Sequence, residues 1–98
     1  MAQFDIHRAS DSSLVVDIQS DVLSVLNTRI VVPLIPAASG LPAMRQLNPE
    51  LIVDDTPYLL ATQYLSAVRT MELGEIVGTL KPLDHRISLA LDLLLHGI

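Results

Sequence analysis

A mainly β domain closed by one C-terminal α-helix is the fold this sequence predicts, and three observations carry it. Phe4 to Ala9 alternates apolar and polar, the period of a half-buried strand. Two clusters, Ser10-Asp11-Ser12-Ser13 and Asp54-Asp55-Thr56-Pro57, sit between β-rich runs and read as hairpin turns. Beyond Pro82 the apolar residues change to helical spacing.

Taken in chain order, the first strand runs from Phe4 to Ala9 and the second from Leu14 to Ile18, joined by the serine-rich turn. Ser20 to Asn27 is open between a loop and a short helical turn. Arg29 to Leu34 is continuously apolar after its arginine, as in a strand covered on both faces. Pro33 implies that one side of this strand lacks a ladder partner, because proline has no N–H to donate. Pro36 to Pro42 reads as an irregular connection. Leu51 to Val53 and Tyr58 to Ala61 form the second hairpin, Leu65 to Leu73 one further strand, and Gly74 and Gly78 punctuate the approach to the helix.

The helix carries the strongest pattern. Pro82 suits a first helical position and Asp84 complements the positive end of the helix dipole. Leu83, Ile87, Ala90, Leu91 and Leu94 make one buried stripe, Asp84, Ser88, Asp92 and His96 a polar one, and Gly97 is placed to end the helix. Leu89, Leu93 and Leu95 are apolar in excess of that stripe. Such a helix is either sunk between two sheets or covered by a partner, and a homodimer is the expected form of the second arrangement.

Composition limits the chemistry. The 98 residues suffice for one domain, taken here as 1–98. Half are apolar and 17% charged, which excludes a disordered tail. Eleven acidic residues against six basic ones leave a net charge of −5, with no basic run for non-specific nucleic-acid binding. Without cysteine there are no disulfides, thiolate ligands or cysteine nucleophiles. The first residues lack the basic and apolar regions of a secretory signal, and the greasiest stretch, Ile30 to Leu41, is far shorter than the roughly 20 residues of a membrane span. A cytoplasmic location, with no membrane partner, is the expectation.

Phosphate-loop, dinucleotide and nucleophile-elbow motifs are absent. The three histidines have no metal-ligand spacing, so no metal, cofactor or catalytic residue is assigned. Asp92 and His96 lie four apart on one helical face and could form a carboxylate–imidazole pair; a solvated polar stripe explains the same residues and is the preferred reading. An enzyme remains possible in principle, since two arginines brought together by folding can stabilise a phosphoryl transition state, but the spacing does not request it.

Two segments carry a resemblance. Val16-Asp17-Ile18-Gln19-Ser20-Asp21-Val22-Leu23, followed by Arg29-Ile30-Val31-Val32-Pro33-Leu34, resembles the CcdB toxin family pattern, with Gln3-Phe4 and Gly97-Ile98 also matching. The middle of the chain, from Leu51 to Leu80, resembles it much more weakly. The resemblance implies an SH3-like barrel with an added small sheet and a C-terminal helix, assembled as a homodimer. It also implies a non-enzymatic toxin that binds the DNA gyrase A subunit and traps the cleaved DNA–gyrase complex. A cognate antitoxin with a disordered C-terminal arm would neutralise it, and the pair would repress its own operon, touching DNA only through the antitoxin. Carried over by position, the gyrase-binding residues are Val22, Leu23, Asp92, Leu95, His96, Gly97 and Ile98. The antitoxin-binding residues are Arg8, Ala9, Ser10, Asp11, Ser12, Ser13 and Leu14. Leu95 and His96 stand where the family has an aromatic and a tryptophan, so two anchors are smaller here. Two other outcomes stand beside this one: a MazF-like endoribonuclease toxin, which shares the barrel, and an inactive relative that only binds antitoxin.

Overall fold

A computed structural model describes residues 2–40 and 43–97. Its strands are β1 (Asp5–Ala9), β2 (Leu14–Asp17), β3 (Thr28–Pro36), β4 (Glu50–Val53), β5 (Thr56–Leu60), β6 (Ser66–Arg69) and β7 (Leu73–Thr79), followed by the helix α1 (Asp84–His96). All pairings are antiparallel, in the order β4-β5-β3-β2-β1-β7, with β6 also on β3. The β4–β5 hairpin is hydrogen-bonded to β3 and continues the main sheet, and among the described residues the strands form one sheet with no separate small one.

β3 organises this sheet. One edge pairs with β2 at Val31 to Leu34; the other pairs with β6 at Thr28 to Val31 and with β5 at Leu34 to Pro36. Pro33 falls in the gap between those two partners, where the missing N–H leaves no ladder bond unmade, and its carbonyl accepts the Ala61 N–H at 2.9 Å. The unpartnered side inferred from this proline is therefore a local gap.

The register aligns alternate side chains across the sheet. Ile6, Val16 and Val32 form one row, and Leu14, Leu34 and Leu60 another, on the face that α1 covers with Ile87 and Ala90. Opposite them, Val15 and Val31 are also buried, so β2 has no wet face. The topology explains this burial: β6 and β7 lie on opposite sides of the β3-β2-β1 path and are joined by one 3-10 turn, Thr70–Glu72, so the sheet must curl.

Two expectations need correction. The single strand foreseen from Leu65 to Leu73 is divided by the Thr70–Glu72 turn, and the last strand, β7, runs through Gly74 and Gly78. The glycines do not punctuate the chain; one admits a neighbour. A Cβ at position 74 would collide with the Arg8 carbonyl of β1, whereas one at 78 would only touch Ile6 Cδ1 at 3.6 Å. Gly74→Ala should therefore lower stability by about 1–3 kcal/mol in urea denaturation, with Gly78→Ala close to wild type.

The helix follows its pattern, with a small shift at its start. Pro82 lies in a 3-10 turn, Lys81–Leu83, and α1 begins at Asp84. Ile87 and Ala90 are fully buried, with Leu83 and Leu91 packed beside them. Gly97 adopts φ 74 and donates its N–H to the Leu93 carbonyl at 3.0 Å, a left-handed helix end that glycine makes without strain. Among the described residues no helix is long and apolar enough to cross a membrane.

Candidate functional site

The loop after β2 is built on a buried polar network. The side chains of Arg29 and Asp17 are 2% and 0% exposed, and Arg29 Nε donates to Asp17 Oδ2 at 2.8 Å with Nη2 at 2.6 Å from the same oxygen. Arg29 Nη2 also reaches the Gln19 carbonyl at 3.4 Å, while Asp17 Oδ1 accepts the Gln19 N–H at 3.0 Å. The Gln19 amide then ties both ends of the loop. Its Oε1 accepts the Ile30 N–H at 3.2 Å and its Nε2 donates to the Leu23 carbonyl at 3.2 Å. Asp21, exposed at the rim, accepts the Gln3 N–H at 2.8 Å. A charge pair removed from water is tolerable only when it is well hydrogen-bonded, and these bonds engage both Asp17 oxygens and the Nε and Nη2 of Arg29.

What the network presents is apolar. Ser20 Oγ caps the 3-10 turn Asp21–Leu23 by accepting the Val22 N–H at 3.2 Å. Val22 is 87% exposed and Val25 89%, with Leu23 and Leu26 about half exposed. Four aliphatics on one surface loop are a poor arrangement for a chain with no partner. Val22 and Leu23 are site residues expected from sequence; Val25 and Leu26 were missed, although two aliphatics inside a loop not assigned to the core were the available signal.

The second part of the expected site is the end of α1. Asp92, Leu95 and His96 are all exposed, Leu95 at 64%. No hydrogen bond or ion pair joins Asp92 to His96 among the described residues, so this is the solvated polar stripe. Leu89 is half exposed too, so two of the three surplus leucines, Leu89 and Leu95, are not covered by the helix's own sheet, whereas Leu93 is partly buried. Gly97 ends the helix, and Ile98 lies outside the described residues. No hydrogen bond or ion pair links this helix end to the Val22 loop among the described residues.

The Arg8 to Leu14 segment is the β1–β2 turn. Ala9 and Ser13 close it, Ser12 takes φ 71, and the Asp11 carboxylate accepts from both the hydroxyl and the N–H of Ser13. Ser10 to Ser13 are exposed, Arg8 pairs with Glu75 at 3.3 Å, and Leu14 belongs to the core. Arg8, Asp11, Ser12, Ser13 and Leu14 line a groove of about 420 Å³ shared with the β4–β5 turn. The Ser13 hydroxyl, then its N–H, hold the Asp11 carboxyl below its ordinary value of 3.8. A carboxyl depressed in the folded state contributes stability above its unfolded pKa and loses it as pH falls through the folded one. In an NMR titration the Ser13 amide should therefore keep its folded shift until the pH drops below the ordinary aspartate range, and Asp11→Asn should abolish the transition.

A family model described as CcdB protein matches residues 3–97. The chain belongs to the CcdB family. Membership of the CcdB family suggests a toxin of a toxin–antitoxin system, with an antitoxin as partner. Among solved structures the chain is similar to "Endoribonuclease from Mycobacterial species", at TM-score 0.76 and 14% identity over 94% of this chain and 88% of that one. It is also similar to "Mycobacterium tuberculosis toxin MazF-mt6", at TM-score 0.71 and 18% identity over 90% and 92%. At these identities the likeness is one of fold. The CcdB-like residues Asp17, Gln19, Asp21 and Arg29 now have physical roles, because they are the network that displays the aliphatic loop.

Proposed function

We propose that this CcdB family chain is a non-enzymatic toxin that acts as a homodimer. It binds the DNA gyrase A subunit and traps the cleaved DNA–gyrase complex until a cognate antitoxin removes it. The observation that carries this reading is the exposed Val22, Leu23, Val25 and Leu26 loop on its buried Arg29–Asp17 support. Such a surface contacts a protein by burying aliphatic side chains, and it offers no group for bond cleavage. The homodimer is the assembly implied by the family resemblance, within an SH3-like barrel. The Arg8 to Leu14 turn, with its groove, is the antitoxin-facing surface in this reading.

Purified protein added to gyrase, ATP and plasmid should raise the yield of linear DNA after detergent and protease treatment, and light scattering should give a dimer. The MazF-like reading has the fold of the endoribonuclease neighbours in its favour. Arg29, however, is buried against Asp17 and is not presented to an RNA strand. Degradation of RNA by the protein alone, without gyrase, would overturn the gyrase reading.

A further inference from the structure

We infer that the groove between the Arg45–Pro49 segment and the first turns of α1 is a docking site for an acidic peptide segment that also carries an aliphatic side chain. This inference does not rest on the gyrase reading. The groove has a volume of about 450 Å³ and is lined by Arg45, Gln46, Pro49, Arg86 and Leu89. Three of the chain's six basic residues, Arg8, Arg29 and Lys81, form ion pairs with carboxylates. Arg45, Arg69 and Arg86 form none among the described residues, and two of those three meet in this groove. In a chain of net charge −5, two guanidinium groups without internal partners converging on one concavity make a local field opposite to that of the whole.

The lining selects among anions. A guanidinium takes a carboxylate by two parallel N–H donations, and two of them suit a pair of carboxylates on one short segment. Pro49 and the half-exposed Leu89 supply an apolar wall for an aliphatic side chain between those charges. Gln46 can donate to or accept from a peptide backbone. A nucleic acid fits less well, since among the described residues the groove has no aromatic lining on which a base could stack, and the acidic chain repels a long polyanion.

The test is fluorescence anisotropy of the full chain with a labelled peptide, Asp-Leu-Asp-Asp-Leu, at low salt. Its Asn-for-Asp counterpart and a labelled oligothymidine serve as comparison probes. The acidic peptide should bind, weaken with salt, and lose at least tenfold in affinity in the Arg45→Gln/Arg86→Gln double variant, with its melting temperature unchanged. Leu89→Ser should weaken the peptide further, whereas Val22→Asp should leave it unaffected. No binding of the acidic peptide, equal binding of the Asn peptide, or binding indifferent to both arginine substitutions would overturn the inference. Tighter binding of oligothymidine through the same arginines would overturn it in favour of a nucleic-acid site. Salt-sensitive self-association lost in the double variant, without peptide binding, would overturn it in favour of contact between copies.

Discussion

Replacing Asp17 by alanine should destabilise the protein by about 3–5 kcal/mol, a large part of the roughly 5–15 kcal/mol that holds a domain folded. The Arg29 guanidinium would remain 2% exposed without the carboxylate it contacts at 2.6 and 2.8 Å. The Gln19 N–H would lose its acceptor in the same step. Most of that loss is the cost of a stranded charge rather than the net value of the pair. The double change Asp17→Leu/Arg29→Met should consequently recover most of the stability, because both charges leave together. It should not restore the loop, whose orientation depends on the polar bonds that the aliphatics cannot replace. Urea denaturation separates these outcomes. A shifted midpoint at constant slope is expected for Asp17→Ala, and a near-normal midpoint for the double variant.

The second large effect should appear in binding and not in folding. Val22 and Val25 are 87% and 89% exposed, so Val22→Asp/Val25→Asp should move stability by no more than about 0.5 kcal/mol. If the loop meets gyrase, each valine buries a side chain worth roughly 1.5–3 kcal/mol, and each new aspartate adds desolvation of a charge. The complex should weaken by a few kcal/mol, a hundredfold or more in affinity. Melting temperature and cleaved-plasmid yield, measured on the same preparation, check this. Unchanged plasmid cleavage would remove the loop from the gyrase contact. A fall in melting temperature matching the fall in cleavage would make the valines structural.

Elements with a clean period were legible from sequence. The alternation at Phe4 to Ala9 and the helical spacing from Leu83 to Leu94 located β1 and α1, although Phe4 precedes β1 and His7, on the strand's polar side, is buried as well. β7 was hidden because Gly74 has the composition of a breaker; its reason for being glycine, the nearness of the Arg8 carbonyl, exists only after β1 and β7 pair. Arg29 read as the polar start of a strand, since its partner Asp17 becomes a neighbour only through the β2–β3 register. The signature around Asp17 to Leu23 located the aliphatic loop without revealing how it is held. The groove of Arg45 and Arg86 had no local signal at all, because the two arginines come from different elements.

The pairing of β1 with β7 also bears on when this polypeptide matures. Asp5 to Ala9 is made well before its second partner, Leu73 to Thr79, and the Ile87 and Ala90 that seal the core emerge later still. Long-range strand pairing of this kind is slow to form. The Val22 loop has the opposite schedule, since Asp17, Gln19, Arg29 and Ile30 are close in the chain and can assemble as soon as β2 and β3 have left the ribosome. A nascent chain therefore has its adhesive aliphatic surface in place before its fold is complete. An early binding protein, waiting at the ribosome exit for Val22 and Leu23, would meet that surface while β1 still has an open edge.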